Sequence, residues 1–199
     1  MNKILSIIIP TYNAAQFLDK GLSTFIMEDK EMMDKLEVLI VNDGTKDNSV
    51  EVAQKFVDRY PNTFKIINKE NGGHGSAINT GVENVTGKYF KCVDADDWVH
   101  PDMLKVLHDR MSEDDYDVVQ CGVSCFKEAV PSVSAVNDHE IQKLDLNNVD
   151  NRKNLIISLT GFTNVTAWAK LYSVRFIREN KLRFMEDIYY EDTYFSMLC

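Results

Sequence analysis

Two runs near the amino terminus do most to limit the fold: Ile4-Leu5-Ser6-Ile7-Ile8-Ile9, stopped by Pro10, and Leu36-Glu37-Val38-Leu39-Ile40-Val41. Both are β-branched and almost wholly apolar, without the alternation of a strand that has one wet face. Such strands are buried on both faces, as in parallel sheets covered by helices. Phe64-Lys65-Ile66-Ile67 and Lys88 to Val93 read as two further strands.

Helical periodicity fills the intervals. Asn13 is placed to cap a helix in which Phe17, Leu18, Gly21, Leu22 and Phe25 share a face. Asp47 or Asn48 caps a second, carrying Val50, Ala53, Val57 and Tyr60 and broken at Pro61. Asn71-Gly72-Gly73-His74-Gly75 reads as a flexible loop, with a helix from Ser76 onward through Ala77, Ile78 and Val82. Pro101-Asp102 opens a helix with Met103, Leu104, Val106 and Leu107 on its apolar side. Alternation of this kind predicts an α/β domain built from right-handed crossovers around a mostly parallel sheet.

Beyond residue 110 the pattern loosens. Asp117 to Phe126 predicts a fifth strand, and residues 127–150 a surface excursion or β-ribbon. Leu155-Ile156-Ile157 with Leu159 predicts a helix, Thr166 to Tyr172 a returning strand, and Val174 to Asn180 another helix. The last periodic segment, Tyr190 to Cys199, has neither cap nor breaker, as expected of a partial sequence.

A chain of 199 residues suits one domain with a substantial core. Its net charge of −9, with Lys and Arg scattered, argues against nucleic acid or an anionic membrane as the main partner. Cys92, Cys121, Cys125 and Cys199 lack zinc-ligand spacing and read as free thiols, which places the chain in a reducing, cytoplasmic compartment. No stretch is long enough to span a bilayer.

Three strands end in polar residues: Thr11-Tyr12-Asn13, Asn42-Asp43-Gly44, and Asp94-Ala95-Asp96-Asp97. Carboxyl ends of parallel strands form one cleft, where ligands collect. Clustered carboxylates repel one another unless a proton or a hard divalent cation intervenes; seen alone, the cluster would be a solvated acidic turn. An anionic ligand bound by an acidic chain needs such a cation. Gly73-His74-Gly75 invites a dinucleotide-binding reading, with Asp94 downstream, but the third glycine is replaced by Ile78. Asp43 is either an Asx-turn or a fixed acceptor for a base N–H. His74 is a ligand contact or a structural histidine, and Lys69 a phosphate contact or a solvated lysine. Glu191-Asp192 either compensates a helix dipole or supplies the general base of a transfer to a hydroxyl. Trp168 is core or a platform for a sugar ring, and Trp98 stands beside the carboxylates.

In order, Ile7-Ile8-Ile9-Pro10-Thr11-Tyr12-Asn13, Val41 to Asp47, Asn71 to Ala77 with Asn79, Asp94 to Asp97, Trp168-Ala169-Lys170-Leu171 and Glu191-Asp192 resemble the family 2 glycosyltransferases, an inverting group. The resemblance implies the GT-A fold: a Rossmann-like, mostly parallel sheet flanked by helices, in one domain over 1–199. Its nucleotide-sugar half would be about 1–98 and its acceptor half about 99–199. It implies nucleotide-sugar contacts at Pro10, Thr11, Tyr12, Asn13, Asp43, Gly44, Lys69, Gly73, His74, Asp94 and Ala95, the donor being a UDP-sugar. Asp96, with Asp94, would hold Mn²⁺ or Mg²⁺. Trp98, Trp168 and Glu191 would face the acceptor, a glycan or a lipid-linked or protein-linked group, and Asp192 would be the base.

The same resemblance implies a role in surface polysaccharide or glycoconjugate synthesis. It leaves room for peripheral membrane association at the inner face through a missing carboxyl-terminal part, and for a homo-oligomer. One departure stands out: an arginine common after the glycine loop is Ile78 here, leaving His74 or Lys69 to meet phosphate. A sugar-phosphate nucleotidyltransferase shares the carboxylates, but its Gly- and Arg/Lys-rich signature after the first strand is replaced by Pro10-Thr11-Tyr12-Asn13. A non-catalytic nucleotide-sugar-binding module of the same fold is the remaining alternative.

Overall fold

The computed structural model describes residues 3–113, 115–120, 125–127, 130–132, 167–189 and 191–198. Strands β1 (Leu5–Thr11), β2 (Leu36–Asp43), β3 (Phe64–Lys69) and β4 (Tyr89–Cys92) run parallel in the order β3-β2-β1-β4. The sheet is completed by β8 (Lys170–Ser173), antiparallel to β4, and β5 (Val118–Gln120) outside it. A separate two-stranded ribbon pairs β6 (Cys125–Lys127) with β7 (Val130–Ser132).

The apolar runs are strands because the sheet is covered on both sides. Leu5, Ile7 and Ile9 of β1 join Val38 and Ile40 of β2 in a core closed by α1 (Ala15–Ser23), α3 (Ser49–Arg59) and α5 (Pro101–Glu113). Ile8, Leu39 and Val41 face the other way, into a core with α4 (Gly73–Asn84), α6 (Val174–Glu179) and Phe195 of α7 (Glu191–Leu198). Each fully buried Ile or Leu contributes roughly 1.5–3 kcal/mol, so a polar face on either side would leave one layer without a floor.

Several boundaries differ from the sequence reading. β1 continues through Pro10 to Thr11, while β2 and β3 carry Asp43 and Lys69 into register opposite each other. Asn13 does not cap α1. It adopts φ 49°, and its Oδ1 accepts from the Lys46 N–H at 2.9 Å and the Thr45 hydroxyl at 3.1 Å, tying the β1 exit to the β2 exit. Asn48 stands at the α3 cap without a side-chain bond, while Asp47 accepts from the Ser49 N–H and hydroxyl, the Thr45 hydroxyl and the Ala15 N–H. Four donors outweigh the cost of burial and hold the Asp47 carboxyl well below the usual range.

Gly73, His74 and Gly75 form the first turn of α4, not a loop. A short helix unread in the sequence, α2 (Lys30–Lys35), starts on Asp29, whose carboxylate accepts from the Glu31 and Met32 N–H groups. The returning strand begins later than expected: Ala167–Ala169 is a 3-10 turn, so Trp168 lies before β8. The expected fifth strand is β5 followed by β6, in different sheets. The expected helix at 155–159, residues 133–150 of the excursion, and the thiols of Cys121 and Cys199 fall outside the described residues. Cys92 is a buried free thiol.

Candidate active site

The carboxyl ends of β1 to β4 share one edge, and the polar strand exits meet there. Asp43, only 3% exposed, is the hub of the β2–β3 side. Its Oδ1 accepts from Lys69 Nζ at 2.5 Å and from the Gly72 N–H at 2.9 Å, and its Oδ2 accepts from the Gly73 N–H at 2.9 Å. Asn71 adds a bond from its Nδ2 to the Asp43 carbonyl at 2.9 Å. Asp43 thereby satisfies two of the orphan donors that every helix start presents, here those preceding α4. Gly73 reaches this position with φ +83°, a conformation that costs a residue with a Cβ.

At the end of β4, Asp94 begins a turn closed by the Asp97 N–H donating to the Asp94 carbonyl at 3.0 Å. Asp96 and Asp97 are exposed on it. Although the Asp97 residue as a whole is exposed, the turn partly desolvates its carboxyl; this, then the neighbouring charges of Asp94 and Asp96, raises the Asp97 pKa above its ordinary value. The turn rests on α1: Gly21 lies beneath the Asp97 carbonyl, the Val99 N–H donates to Thr24 Oγ1 at 3.3 Å, and the Lys20 ammonium sits 3.5 Å above the Trp98 ring.

The third contribution comes from the far end of the chain. Glu191, 8% exposed, and Asp192 open α7. His74 spans the gap, its Nδ1 2.5 Å from Glu191 Oε1 and its Nε2 3.1 Å from Asp94 Oδ1. Burial disfavours the charged ring, but the hydrogen bond and charge of Asp94, followed by those of Glu191, outweigh it and raise the pKa to about 9. The imidazole is therefore a cation at neutral pH, held between two carboxylates.

These groups enclose a cavity of about 200 Å³ lined by His74, Ile78, Cys92, Asp94, Ala167, Trp168, Glu191 and Asp192. Its floor is apolar and its rim ionic. Burial first, and then Asp94, push the Cys92 thiol far up, so it stays neutral. Trp168 is half-buried, and its carbonyl accepts a bond from the ammonium of Lys91, a lysine buried in β4.

Of the residues singled out in the sequence, His74, Asp94, Trp168, Glu191 and Asp192 line this one cavity. Pro10 and Thr11 are buried in β1, with Tyr12 (49% exposed) and Asn13 on its exit. Gly44, Lys69 and Gly73 surround Asp43, while Ala95, Asp96 and Trp98 lie along the β4 exit. The two cations expected to meet phosphate are both engaged, Lys69 by Asp43 and His74 by Asp94 and Glu191. Ile78, Cys92 and Ala167 were missed as cavity residues, because an apolar floor looks like core in a sequence. Among the described residues, no group of three or more His, Cys, Asp or Glu side chains could hold a metal ion by itself.

Mixed sheet, two-sided helical cover and a cleft on the carboxyl edge define a GT-A-type α/β domain, and known structures agree. The chain superimposes on residues 1–349 of Staphylococcus aureus TarS, solved with UDP-GlcNAc, with a TM-score of 0.71 at 20% identity over 98% of this chain and 52% of that one. The mannosyltransferase PcManGT from Pyrobaculum calidifontis, solved with GDP-Man and Mn²⁺, gives a TM-score of 0.62 at 20% identity, covering 98% and 51%. The family model for glycosyl transferase family 2 matches residues 6–179, and the chain belongs to that family. Among curated relatives, the uncharacterized glycosyltransferase YibD of Escherichia coli is 32% identical over 94% of this chain and 54% of its own length. Glycosyltransferase GlyA of Streptococcus pneumoniae is 30% identical over 90% of this chain and 25% of its own. The chain thus spans about half, or less, of the length of these relatives.

Proposed function

We propose that this domain transfers a sugar from a UDP-sugar to an acceptor hydroxyl, with inversion at the anomeric carbon. The observation that carries the reading is one cavity that joins Asp94, from the nucleotide side, to Glu191 and Asp192 of α7. The nucleoside would lie along the β1–β3 exits, against Pro10, Thr11, Tyr12, Asn13 and Gly44, with Lys69 and Gly73 behind it. Asp43 keeps acceptor capacity for a base N–H: a carboxylate offers about four acceptor positions, and three are filled. Asp94 and Ala95 would meet the ribose or donor sugar.

The donor set on the β4 exit suits a hard divalent ion. Asp94 and Asp96 would supply hard oxygen ligands, and Mg²⁺ and its analogues take their remaining ligands from substrate phosphates and water. When bound, Mn²⁺ or Mg²⁺ offsets the charge of the leaving diphosphate as a Lewis acid. The chain's own residues would do the rest. Asp192 takes the proton of the acceptor hydroxyl. The oxygen bonds to the anomeric carbon from the opposite face while the bond to the diphosphate breaks, the electron pair leaving with the nucleotide. Trp168, Trp98 and Glu191 would hold the acceptor, a glycan or a lipid-linked or protein-linked group.

Calorimetry with UDP tests the donor site: binding should require Mn²⁺ or Mg²⁺ and be lost in Asp96→Ala. Absence of metal-dependent UDP binding in the wild type would refute the assignment. For the base, Asp192→Asn should retain UDP affinity and lose transfer; an unchanged rate would place the base elsewhere.

A further inference from the structure

Helix α4 is gripped along its length by residues from beyond position 170. At its carboxyl end the Arg178 guanidinium donates to the carbonyls of Val82 at 3.1 Å, Glu83 at 3.5 Å and Val85 at 3.1 Å. At mid-helix Asn79, 5% exposed, donates from Nδ2 to the Phe184 carbonyl and to Glu186 Oε1, both at 2.9 Å. Its Oδ1 accepts from the Phe184 N–H at 2.9 Å. At the amino end Gly75 lets the chain pass so close that an added Cβ would strike the Met185 carbonyl and lie 3.2 Å from Glu191 Cγ. The segment therefore runs antiparallel to α4, from Arg178 at its foot to Glu191 at its head.

We propose that Asn79 is a positioning residue for the Glu191–Asp192 pair, setting where these carboxylates stand over the cavity. Its amide meets both the carbonyl and the N–H of Phe184, as a neighbouring strand would. Only a side-chain amide offers that donor-acceptor pair and a second N–H for Glu186. Phe184 also stacks on Phe195 of α7, with ring centroids 3.8 Å apart, so the level fixed at 184 passes directly to the helix that carries the acids. Beyond the clamp, Asp187 is at φ 59° and Ile188 and Tyr189 are 44% and 93% exposed, so the side chains of 188 and 189 add little packing to hold the approach. The catalytic consequence rests on the transfer reading above; the structural one does not.

The test uses Asn79→Asp in the full chain. It keeps shape and one acceptor but turns an oxygen toward the Phe184 carbonyl and the Glu186 carboxylate. Adding Glu186→Gln returns a donor to that contact. Three readouts separate the outcomes: UDP affinity with Mn²⁺, release of UDP from a panel of UDP-sugars, and hydrogen exchange of peptides spanning 182–192 and 36–43. We expect unchanged UDP affinity, turnover lower by about a hundredfold, the scale of a small misplacement of a catalytic group, and faster exchange confined to 182–192. Glu186→Gln should recover part of both losses. Unchanged turnover, a parallel fall in UDP affinity, or no recovery in the double variant would overturn the proposal. If the wild type neither binds UDP with Mn²⁺ nor releases it from any sugar, the transfer reading fails and exchange alone decides. Faster, reversible exchange at 182–192 supports the clamp, and unchanged exchange removes it.

Discussion

His74 Nδ1 and Glu191 Oε1 lie 2.5 Å apart across 117 residues of chain, with Asp94 3.1 Å from the opposite ring nitrogen. A neutral imidazole has one N–H to give, so two carboxylate partners favour the doubly protonated ring. In the metal-free protein, an NMR titration should place the His74 pKa near 9. Glu191→Gln should bring it down toward the ordinary value of 6.5. The folded pKa is raised, so the stability this ring contributes is complete below about 6.5 and lost as pH climbs through about 9. Denaturant unfolding at pH 7 and pH 10 should show that loss in the wild type and not in His74→Ala. A wild-type ring titrating near 6.5 would contradict the bridge.

The carboxylate turn depends on a glycine in another element. A Cβ at Gly21 would stand 2.9 Å from the Asp97 carbonyl, a backbone atom that moves only with its loop. Gly21→Ala should cost about 1–3 kcal/mol, the usual range for overpacking, and should weaken Mn²⁺-dependent UDP binding as well. Gln16→Ala, on the exposed face of the same helix, serves as the control and should change neither unfolding nor calorimetry.

Asp43 holds the approach to α4. Asp43→Ala leaves two backbone N–H groups without their acceptor and the Lys69 ammonium with the Glu70 carbonyl but no carboxylate, and an orphaned buried donor costs about 1–3 kcal/mol. Urea unfolding should register at least that loss. Asp43→Asn, which keeps one acceptor, should fall between. Equal stability of all three proteins would show that the strand exits are held by something else.

On the opposite edge of the sheet, Glu37 is fully buried and accepts from the Ser6 hydroxyl, Lys65, and the N–H and hydroxyl of Thr86 at 2.7–3.0 Å. Burial alone would raise its pKa, but these bonds outweigh it and lower the value from 4.5. The sign follows: its contribution is complete above about 4.5 and disappears as pH falls through the lower folded value. Glu37→Gln should lose stability at pH 7 by about 3 kcal/mol, as when one partner of a buried ionic network is removed. It should lose less between pH 5 and pH 3 than the wild type does. A parallel acid transition in both proteins would refute the assignment.

The parallel half of the fold was legible because its strands have no polar face: Ile7 and Ile8 point into different cores, and only a doubly covered sheet tolerates both. Strand ends were less legible. Asp43 and Lys69 look like exits, yet they pair in register, because a salt bridge lets two polar residues close a ladder. Gly73 to Gly75 looked like a loop, since glycine disfavours helix. Asp43 supplies the cap and Met185 the close neighbour that a local reading cannot see. Five of the singled-out residues share the cavity, whereas its floor of Ile78, Cys92 and Ala167 is indistinguishable by type from the rest of the interior. The clamp at Asn79 leaves no local signal, because its partners lie 105 and 107 residues away.

The strand order β4-β8-β5 has a consequence for how the chain acquires its shape during synthesis. Residues 118–120 emerge from the ribosome well before 170–173, yet among the described residues they join the sheet through them. Until then β4 keeps an open edge, and Tyr89 and Phe90 wait for Ser173 and Tyr172. An unpaired edge beside buried aromatics is a template for another chain. A nascent polypeptide halted before position 170 should therefore aggregate more readily than one extended past position 173.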